Sequence, residues 1–298
     1  MRSEFESQGT IVIERSRLAD YIALTKPELT FLSVVTALAG VLLASHDLLQ
    51  VSVLFHVLLG TALIGGGAGA LNQLMEREYD GLMRRTEHRL LPSGRLLPPE
   101  VLIFGTIISV LGIIDLAVFT NLLAAFLAVV TLVTYLFLYT PLKRITPWST
   151  VVGGIPGALP PVIGWTAVRN EISLEALILF AVLFLWQMPH FFSLAWMYRK
   201  DYARAGYKTL TVIDPSGTAT CVHILAYSTL LLVASLMPGV LGYSGLVYVC
   251  VALFLSIIFI AAGVQLWISR SNEAARRVFY ASLLYLPALL LIMVIDRL

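Results

Sequence analysis

Charged residues are scarce in this chain. Only 13% of its 298 residues are Asp, Glu, Lys or Arg, whereas 58% are hydrophobic. A water-soluble domain carries about 25% charged residues, and its interior could not enclose so many apolar side chains. The formal net charge of +2 provides no strongly basic surface for a nucleic acid. This composition therefore predicts a membrane protein without a nucleic-acid partner.

Cysteine is also rare, and the amino-terminal segment lacks an apolar core. The two cysteines, Cys221 and Cys250, fall near opposite membrane faces in the predicted topology, so we expect no disulfide. The acidic first 26 residues match neither a secretory signal nor a mitochondrial presequence. We predict a cytoplasmic tail over residues 1–26 and a single transmembrane domain over residues 27–298.

The apolar residues occur in blocks of about 20, the length a helix needs to cross roughly 30 Å of hydrocarbon. Only a short polar break at Thr120 and Asn121 separates the third block from the fourth, so eight spans is the alternative count. We predict an all-α polytopic bundle of about nine transmembrane helices. The blocks lie near residues 28–45, 51–75, 99–119, 121–140, 149–168, 174–197, 218–237, 243–268 and 277–295.

The basic residues are distributed unevenly between the two ends of the predicted spans. With the amino terminus in the cytoplasm, all Lys and Arg residues except Arg169 and Arg297 fall on the cytoplasmic side. The positive-inside rule therefore predicts a cytoplasmic amino terminus and an external carboxyl terminus. The predicted location is a bacterial cytoplasmic membrane, with lipid as the surrounding partner.

Three oxygen-bearing side chains follow one another at intervals of four residues at the end of the second span. Asn72, Glu76 and Asp80 would share one face of a continuing helix, whereas Glu78 would point to the opposite face. Two carboxylates and a carboxamide form a hard-oxygen site that suits Mg²⁺ completed by phosphate oxygens. An ordinary polar boundary of a membrane helix is the alternative interpretation.

Cations and a second polar cluster accompany this site. Arg84 and Arg85 follow it, and Lys143 and Arg144 end the fourth span on the same side, where they could stabilise a departing diphosphate. In the second cluster, an intramembrane histidine is a functional candidate by default. This cluster contains His190, Asp201 and Tyr202, whereas His56 has no convergent partner and Asp115 is placed at the interface near the outer end of the third span.

Several segments together resemble the UbiA superfamily of membrane prenyltransferases, over nearly the whole chain. They are TKPELT (25–30), NQLMEREYDGLMRRTEHRLLPSG (72–94), YTPLKRITPWSTVVGGIPGALPPVIGW (139–165) and PHFFSLAWMYRKDYARAG (189–206). The Leu-Lys-Arg and Pro-His-Phe runs are similar to the branch of the family that acts on haem. The resemblance implies a helical bundle around a central cavity that opens toward the cytoplasmic side.

The resemblance also implies a reaction. Farnesyl diphosphate, bound through Mg²⁺, would ionise to an allylic cation that a vinyl group of haem b captures, and water would complete haem O. Haem b is then a substrate and not a prosthetic group. The implied metal ligands are Asn72, Glu76, Asp80 and Asp201, the implied catalytic cations are Arg85 and Lys143, and the implied substrate-binding residues are Lys26, Arg84, Arg89, Arg144, His190, Tyr202 and Lys208.

The sequence departs from the family pattern at some of these positions. Glu76 stands where aspartate is frequent, although a glutamate can still bind a metal. Lys200 precedes Asp201 where a second acid is often found, and Lys208 with Thr209 interrupts a stretch that usually reads Pro-Met-Leu-Pro. These changes leave the first metal site intact and put the composition of the second in question.

Two other functions are considered. One is a prenyltransferase of the same family that acts on an aromatic quinone precursor. The other, from a different class, is a haem-binding membrane module or a transporter, but a transport pathway would place ionisable groups near the midplane and not at the boundary. The sequence does not choose among a monomer, a homodimer and an association with haem A synthase.

Overall fold

The computed structural model describes residues 16–45 and 49–297, and nine helices in these ranges are long and apolar enough to cross a membrane. The predicted number of spans is confirmed. In chain order the helices are α1 Arg17–Leu24, α2 Pro27–Ala44, α3 Val51–Asp80, α4 Pro98–Phe119, α5 Leu122–Val133, a π-helix Thr134–Tyr139, α6 Thr140–Leu142, α7 Ser149–Arg169, α8 Leu174–Met197, α9 Arg199–Arg204, α10 Leu210–Ile213, α11 Thr218–Val240, α12 Leu246–Ser269 and α13 Asn272–Ile295. The fourth span, Leu122–Leu142, combines α5, the π-helix and α6.

Two spans each extend five residues beyond a predicted boundary, whereas the other boundaries differ from the prediction by at most three residues. The second span was predicted to end at residue 75, but α3 continues to Asp80 because no glycine or proline occurs between residue 75 and Gly81. The ninth span was predicted to begin at residue 277. It begins at Asn272, where the Ala274 amide donates to the Ser271 hydroxyl over 3.1 Å and caps the helix.

The polar break between the third and fourth spans is a tight turn. Asn121 caps α5 by accepting a hydrogen bond from the Ala124 amide at 2.9 Å, and its amide nitrogen donates to the Thr166 carbonyl of α7 at 2.8 Å. The same side chain therefore begins one helix and joins it to another. This turn is the reason that two spans form where a single long helix was the alternative.

The described part of the predicted amino-terminal tail packs against the end of the bundle where α3 ends. Helix α1 carries Asp20, whose carboxylate lies 2.6 Å from the Arg95 guanidinium. The Gln73 side chain of α3 donates to the Leu24 carbonyl over 2.9 Å. Residues 16–26 are thereby attached to α3 and to the loop that follows it, beside the predicted active site.

The first and fifth spans cross without space for side chains at the contact. A Cβ atom added to Gly40 would lie 2.0 Å from the Pro161 carbonyl oxygen, and one added to Gly164 would lie 2.1 Å from that of Ala37. Both obstacles are backbone atoms, so no side-chain rotation can relieve the overlap. Small residues at this crossing let α2 and α7 approach closely, as is typical of membrane helices.

We expect Gly164→Ala to lower the midpoint of thermal unfolding in detergent, because the added methyl group forces α2 and α7 apart. Overpacking of this kind costs about 1–3 kcal/mol. The matched control is Gly81→Ala, since a Cβ atom there meets its nearest neighbour at 3.6 Å. Equal unfolding temperatures for the two variants would contradict the close crossing.

A polar pair also joins the second and third spans. His56 was predicted to have no convergent partner, and this interpretation was wrong. The His56 Nδ1 lies 2.9 Å from an Asp115 carboxylate oxygen, and the imidazole stacks on Phe119 with ring centroids 4.1 Å apart. Residues 59 positions apart in sequence form this pair, so spacing along either helix could not predict it.

Candidate active site

The three oxygen-bearing side chains of α3 lie on one buried face of the helix, as their spacing predicts. Asn72, Glu76 and Asp80 have exposed fractions of 1%, 5% and 1%. Glu78 is exposed and pairs with Arg77 at 3.2 Å. The polar face is therefore directed into the protein and is not an ordinary solvated boundary.

Each of these three side chains contacts a different cation, and each cation comes from a different segment. The Lys26 ammonium donates to Asn72 Oδ1 at 2.9 Å, and the Lys143 ammonium donates to Glu76 Oε1 at 2.7 Å. A guanidinium nitrogen of Arg89 lies 2.8 and 2.7 Å from the two carboxylate oxygens of Asp80. Three cations thus surround two carboxylates, which leaves one positive charge in excess.

The π-helix in the fourth span brings the end of that span to α3. Pro141 lacks an amide hydrogen, and proline inside a helix commonly forces such a rearrangement. At the end of the π-helix, the Thr140 hydroxyl donates to the Tyr135 carbonyl at 2.8 Å and accepts from the Asn72 amide at 3.1 Å. This hydrogen-bonded chain fixes the orientation of Asn72, so that its carbonyl oxygen faces Lys26.

Lys26 occupies a strained backbone position next to the site. Its φ of 48° places it in the left-handed region, which a residue with a Cβ atom adopts only at a cost of about 1–3 kcal/mol. Burial, together with the charge of Arg89, lowers the pKa of its ammonium to about 7. Because this pKa lies near neutrality, the positive charge in excess is present only while Lys26 is protonated.

The surroundings of Lys143 raise its pKa, whereas those of Lys26 lower the pKa of that residue. Burial acts to lower its pKa, but the neighbouring oxygens of Tyr139 and Glu76 outweigh burial and raise the pKa well above its usual value. The ammonium also lies 4.4 Å from the centre of the Tyr139 ring. Lys143 therefore supplies a permanent positive charge to the site.

Tyr207 belongs to the site, although no feature of the sequence identified it. Its side chain is buried and packs near Tyr79 and Tyr202, and its hydroxyl has no hydrogen-bond partner in the described ranges. Burial and the charge of Glu76 raise the pKa of this phenol, so it remains a hydrogen-bond donor. The adjacent Lys208 amide donates to the Lys143 carbonyl at 2.9 Å, which links the loops that follow the fourth and sixth spans.

The remaining predicted cations are farther from the buried oxygens. The exposed Arg85 lies over the Tyr198 ring at 5.0 Å, and Arg144 lies over the Tyr79 ring at 4.1 Å. The side chains of Arg84 and Lys208 are exposed. All four lie on the loops that follow the second, fourth and sixth spans. The catalytic role of Arg85 and the substrate-binding roles of Arg84, Arg144 and Lys208 remain predictions.

The predicted second metal ligand, Asp201, does not converge with the first group. Its carboxylate pairs with Arg204 and lines a hollow of about 180 Å³ that also includes Asn272. No group of three or more His, Cys, Asp or Glu side chains within residues 16–45 and 49–297 is arranged to hold a metal ion. Tyr202, with its ring centroid 5.9 Å from that of Tyr207, lies nearer the site, and burial raises its pKa.

The donor set on α3 fits a magnesium ion in chemical terms. Two carboxylates and an amide oxygen, all buried on one helix face, are the hard ligands that Mg²⁺ prefers, and Mg²⁺ commonly uses only one or two carboxylates plus phosphate oxygens. The same oxygens accept from Lys26, Lys143 and Arg89, so these cations would have to move onto another anion when a metal binds. A diphosphate is an anion of the required charge.

Comparison with known proteins gives the class that this fold and site define. The model of the UbiA prenyltransferase family matches residues 33–286, and the chain belongs to this family of membrane prenyltransferases. A relative from Solibacter usitatus (strain Ellin6076), named protoheme IX farnesyltransferase, is 46% identical over 292 residues, which cover 94% of this chain and 99% of the relative. The predicted family, enzyme class and fold class are confirmed.

Solved structures are similar in fold. A structure described as that of digeranylgeranylglyceryl phosphate synthase has a TM-score of 0.79 at 19% identity and covers 94% of this chain and 98% of its own. A UbiA homolog from Archaeoglobus fulgidus, bound to DMAPP and Mg²⁺, has a TM-score of 0.70 at 15% identity, with coverage of 92% and 99%. At these identities the likeness concerns the fold.

Proposed function

We propose that the protein transfers the farnesyl group of farnesyl diphosphate to a vinyl group of haem b, which is protoheme IX, to make haem O. The observation that carries the proposal is the cluster of three buried oxygen donors on α3, each held by a separate cation. The name and the 46% identity of the Solibacter relative support protoheme IX as the acceptor. No feature of the described structure favours an aromatic quinone precursor or a transport function.

The charge of the site supports a bound complex of metal and diphosphate. With Lys26 protonated, the three cations Lys26, Arg89 and Lys143 exceed the charge of Glu76 and Asp80 by one. A fully ionised prenyl diphosphate with one Mg²⁺ carries about one negative charge, so binding would leave the buried site nearly neutral. We propose that the carboxylates then turn to the metal while the cations turn to the diphosphate oxygens.

In the proposed reaction the chain stabilises the diphosphate leaving group, and water reacts only in the last step. The C–O bond of farnesyl diphosphate breaks with its electron pair on the diphosphate, where Lys143, Lys26 and Arg89 stabilise the negative charge. When bound, Mg²⁺ would supply further Lewis-acid stabilisation of the same oxygens. The vinyl electron pair forms the new C–C bond, and water then adds to the resulting cation and releases a proton.

The Tyr207 phenol is a further donor available to the diphosphate. Its hydroxyl is buried near Glu76 and makes no hydrogen bond of full geometry in the part of the chain that the structure describes, so a diphosphate oxygen could become its acceptor. Because Lys208 ties its segment to Lys143, both groups would approach the diphosphate from the same side. We propose that this side faces the cytoplasm, in agreement with the distribution of basic residues.

A product assay tests the proposal. We expect purified protein given haem b, farnesyl diphosphate and Mg²⁺ to form haem O, identified by mass, and 4-hydroxybenzoate to be neither prenylated nor inhibitory. Removal of divalent metal with EDTA should abolish the product, and added Mg²⁺ should restore it. Prenylated 4-hydroxybenzoate would support the quinone-precursor alternative, and absence of any product beside an active relative would contradict farnesyl transfer.

A further inference from the structure

His190 lies inside the sixth span, in an aromatic setting formed with the ninth span. Its imidazole stacks with Trp186, one turn earlier on α8, with ring centroids 5.2 Å apart, and with Phe279 of α13 at 4.8 Å. The Trp186 indole donates to the Ser282 carbonyl at 2.8 Å, which holds the two helices together at this level. The ring therefore has a fixed plane.

The hydrogen bonds of Ser282 determine which nitrogen of His190 carries the proton. The Ser282 hydroxyl oxygen lies 2.5 Å from the Phe279 carbonyl oxygen and 2.8 Å from His190 Nδ1. A hydroxyl has a single proton, and a carbonyl can only accept, so that proton is directed to Phe279. The oxygen then accepts a hydrogen bond from His190 Nδ1–H, which leaves the lone pair on Nε2.

Nε2 is consequently a free base in an apolar environment. No hydrogen bond to this atom occurs within residues 16–45 and 49–297, whereas Nδ1 is fully engaged. Imidazole that binds a metal through one nitrogen almost always donates its other N–H to a fixed acceptor, and this second contact sets the tautomer and the ring orientation. The arrangement of His190 and Ser282 has this form.

We infer that His190 Nε2 binds the iron of the acceptor haem, and that Ser282 is a positioning residue that fixes the tautomer and plane of the ring. Neutral imidazole is a common axial ligand of haem iron. The flat rings of Trp186 and Phe279 prevent the imidazole from rotating, so the bound porphyrin is held at one depth in the membrane. This inference rests on the proposed function, because it assigns a site to its acceptor substrate.

Titration with ferric haem b tests the inference on the full-length protein in detergent. The wild type should give the absorption spectrum of imidazole-ligated haem. His190→Ala should lose this spectrum and bind haem at least tenfold more weakly, and free imidazole should restore the spectrum. Ser282→Ala should weaken binding about tenfold, as expected when a metal-binding histidine loses its hydrogen-bond partner.

His223→Ala is the matched control, because this histidine also lies within a span and its Nδ1 is 2.7 Å from the Ala219 carbonyl of its own helix. It should keep the wild-type spectrum. If His190→Ala does not fold, His190→Gln replaces it in the same titration. An unchanged spectrum in the His190 variant, or its loss in the His223 variant, would overturn the assignment.

The product assay separates this inference from the proposed function. Haem O formation by wild-type protein, together with a spectrum independent of His190, would reject the ligand and keep the activity. A His190-dependent spectrum without haem O formation would reject the farnesyl transfer and keep the haem site.

Discussion

Asp80→Asn is expected to lower the rate of farnesyl transfer by about 100-fold to 1,000-fold, the loss typical when one preorganised charge-stabilising group is removed. The substitution keeps the size of the side chain but removes the carboxylate that we assign to the metal. It also replaces one of the two carboxylate oxygens that accept from Arg89 at 2.8 and 2.7 Å with an NH2 group, which cannot accept. The measurement is the initial rate of haem O formation at saturating Mg²⁺.

The matched control for Asp80 is Glu78→Gln, which removes a carboxylate from the exposed face of the same helix. We expect this variant to retain nearly the wild-type rate. A concentration series of Mg²⁺ adds a second measurement, since the Asp80 variant should require more metal for half-maximal rate. A normal rate and a normal metal requirement in Asp80→Asn would remove Asp80 from the mechanism.

Lys143→Met should affect both stability and catalysis. Glu76 and Lys143 form a buried ion pair at 2.7 Å, with side-chain exposures of 7% and 16%. Removal of one partner of such a pair costs about 3–5 kcal/mol, because the other charge remains buried without compensation. We therefore expect a lower unfolding temperature and a fall in the transfer rate of about 100-fold or more.

A double variant isolates the effect of Lys143 on stability. In Lys143→Met with Glu76→Gln neither member of the ion pair is left without its partner, so the unfolding temperature should recover. Transfer should stay impaired, because both the Lys143 charge and the carboxylate that we assign to the metal are lost. Lys200→Met is the control for loss of a boundary lysine, because Lys200 is exposed. Recovery of activity together with stability in the double variant would show that Lys143 has only a structural role.

The membrane itself explains why much of the fold could be predicted from the sequence. Each span must cover a similar apolar thickness, so length and hydropathy alone locate the helices. The break at Thr120 and Asn121 was recognisable because an asparagine at a helix start accepts from the following turn, as it does from Ala124 at 2.9 Å. Span ends were predicted less well, because polar helical turns continue beyond the apolar region.

The active site could be predicted only where its residues share one helix. Asn72, Glu76 and Asp80 are related by helical periodicity, and the structure places them on one buried face. The partner of each depends on contacts between distant segments, such as Lys26 with Asn72, 46 positions apart, and Lys143 with Glu76, 67 positions apart. Tyr207 gave no signal because a tyrosine near a membrane boundary is common.

The π-helix at Thr134–Tyr139 makes the angular position of Lys143 depend on the exact number of residues before it. If this stretch became a regular α-helix with the same number of residues, everything after it would rotate by about 100° about the helix axis, because the wider turn holds one residue more than an α-helical turn. The hydrophobicity of the span would be unchanged, so the chain could still insert into the bilayer. The Lys143 ammonium would nevertheless point away from Glu76, so insertion and catalysis depend on different properties of the same span.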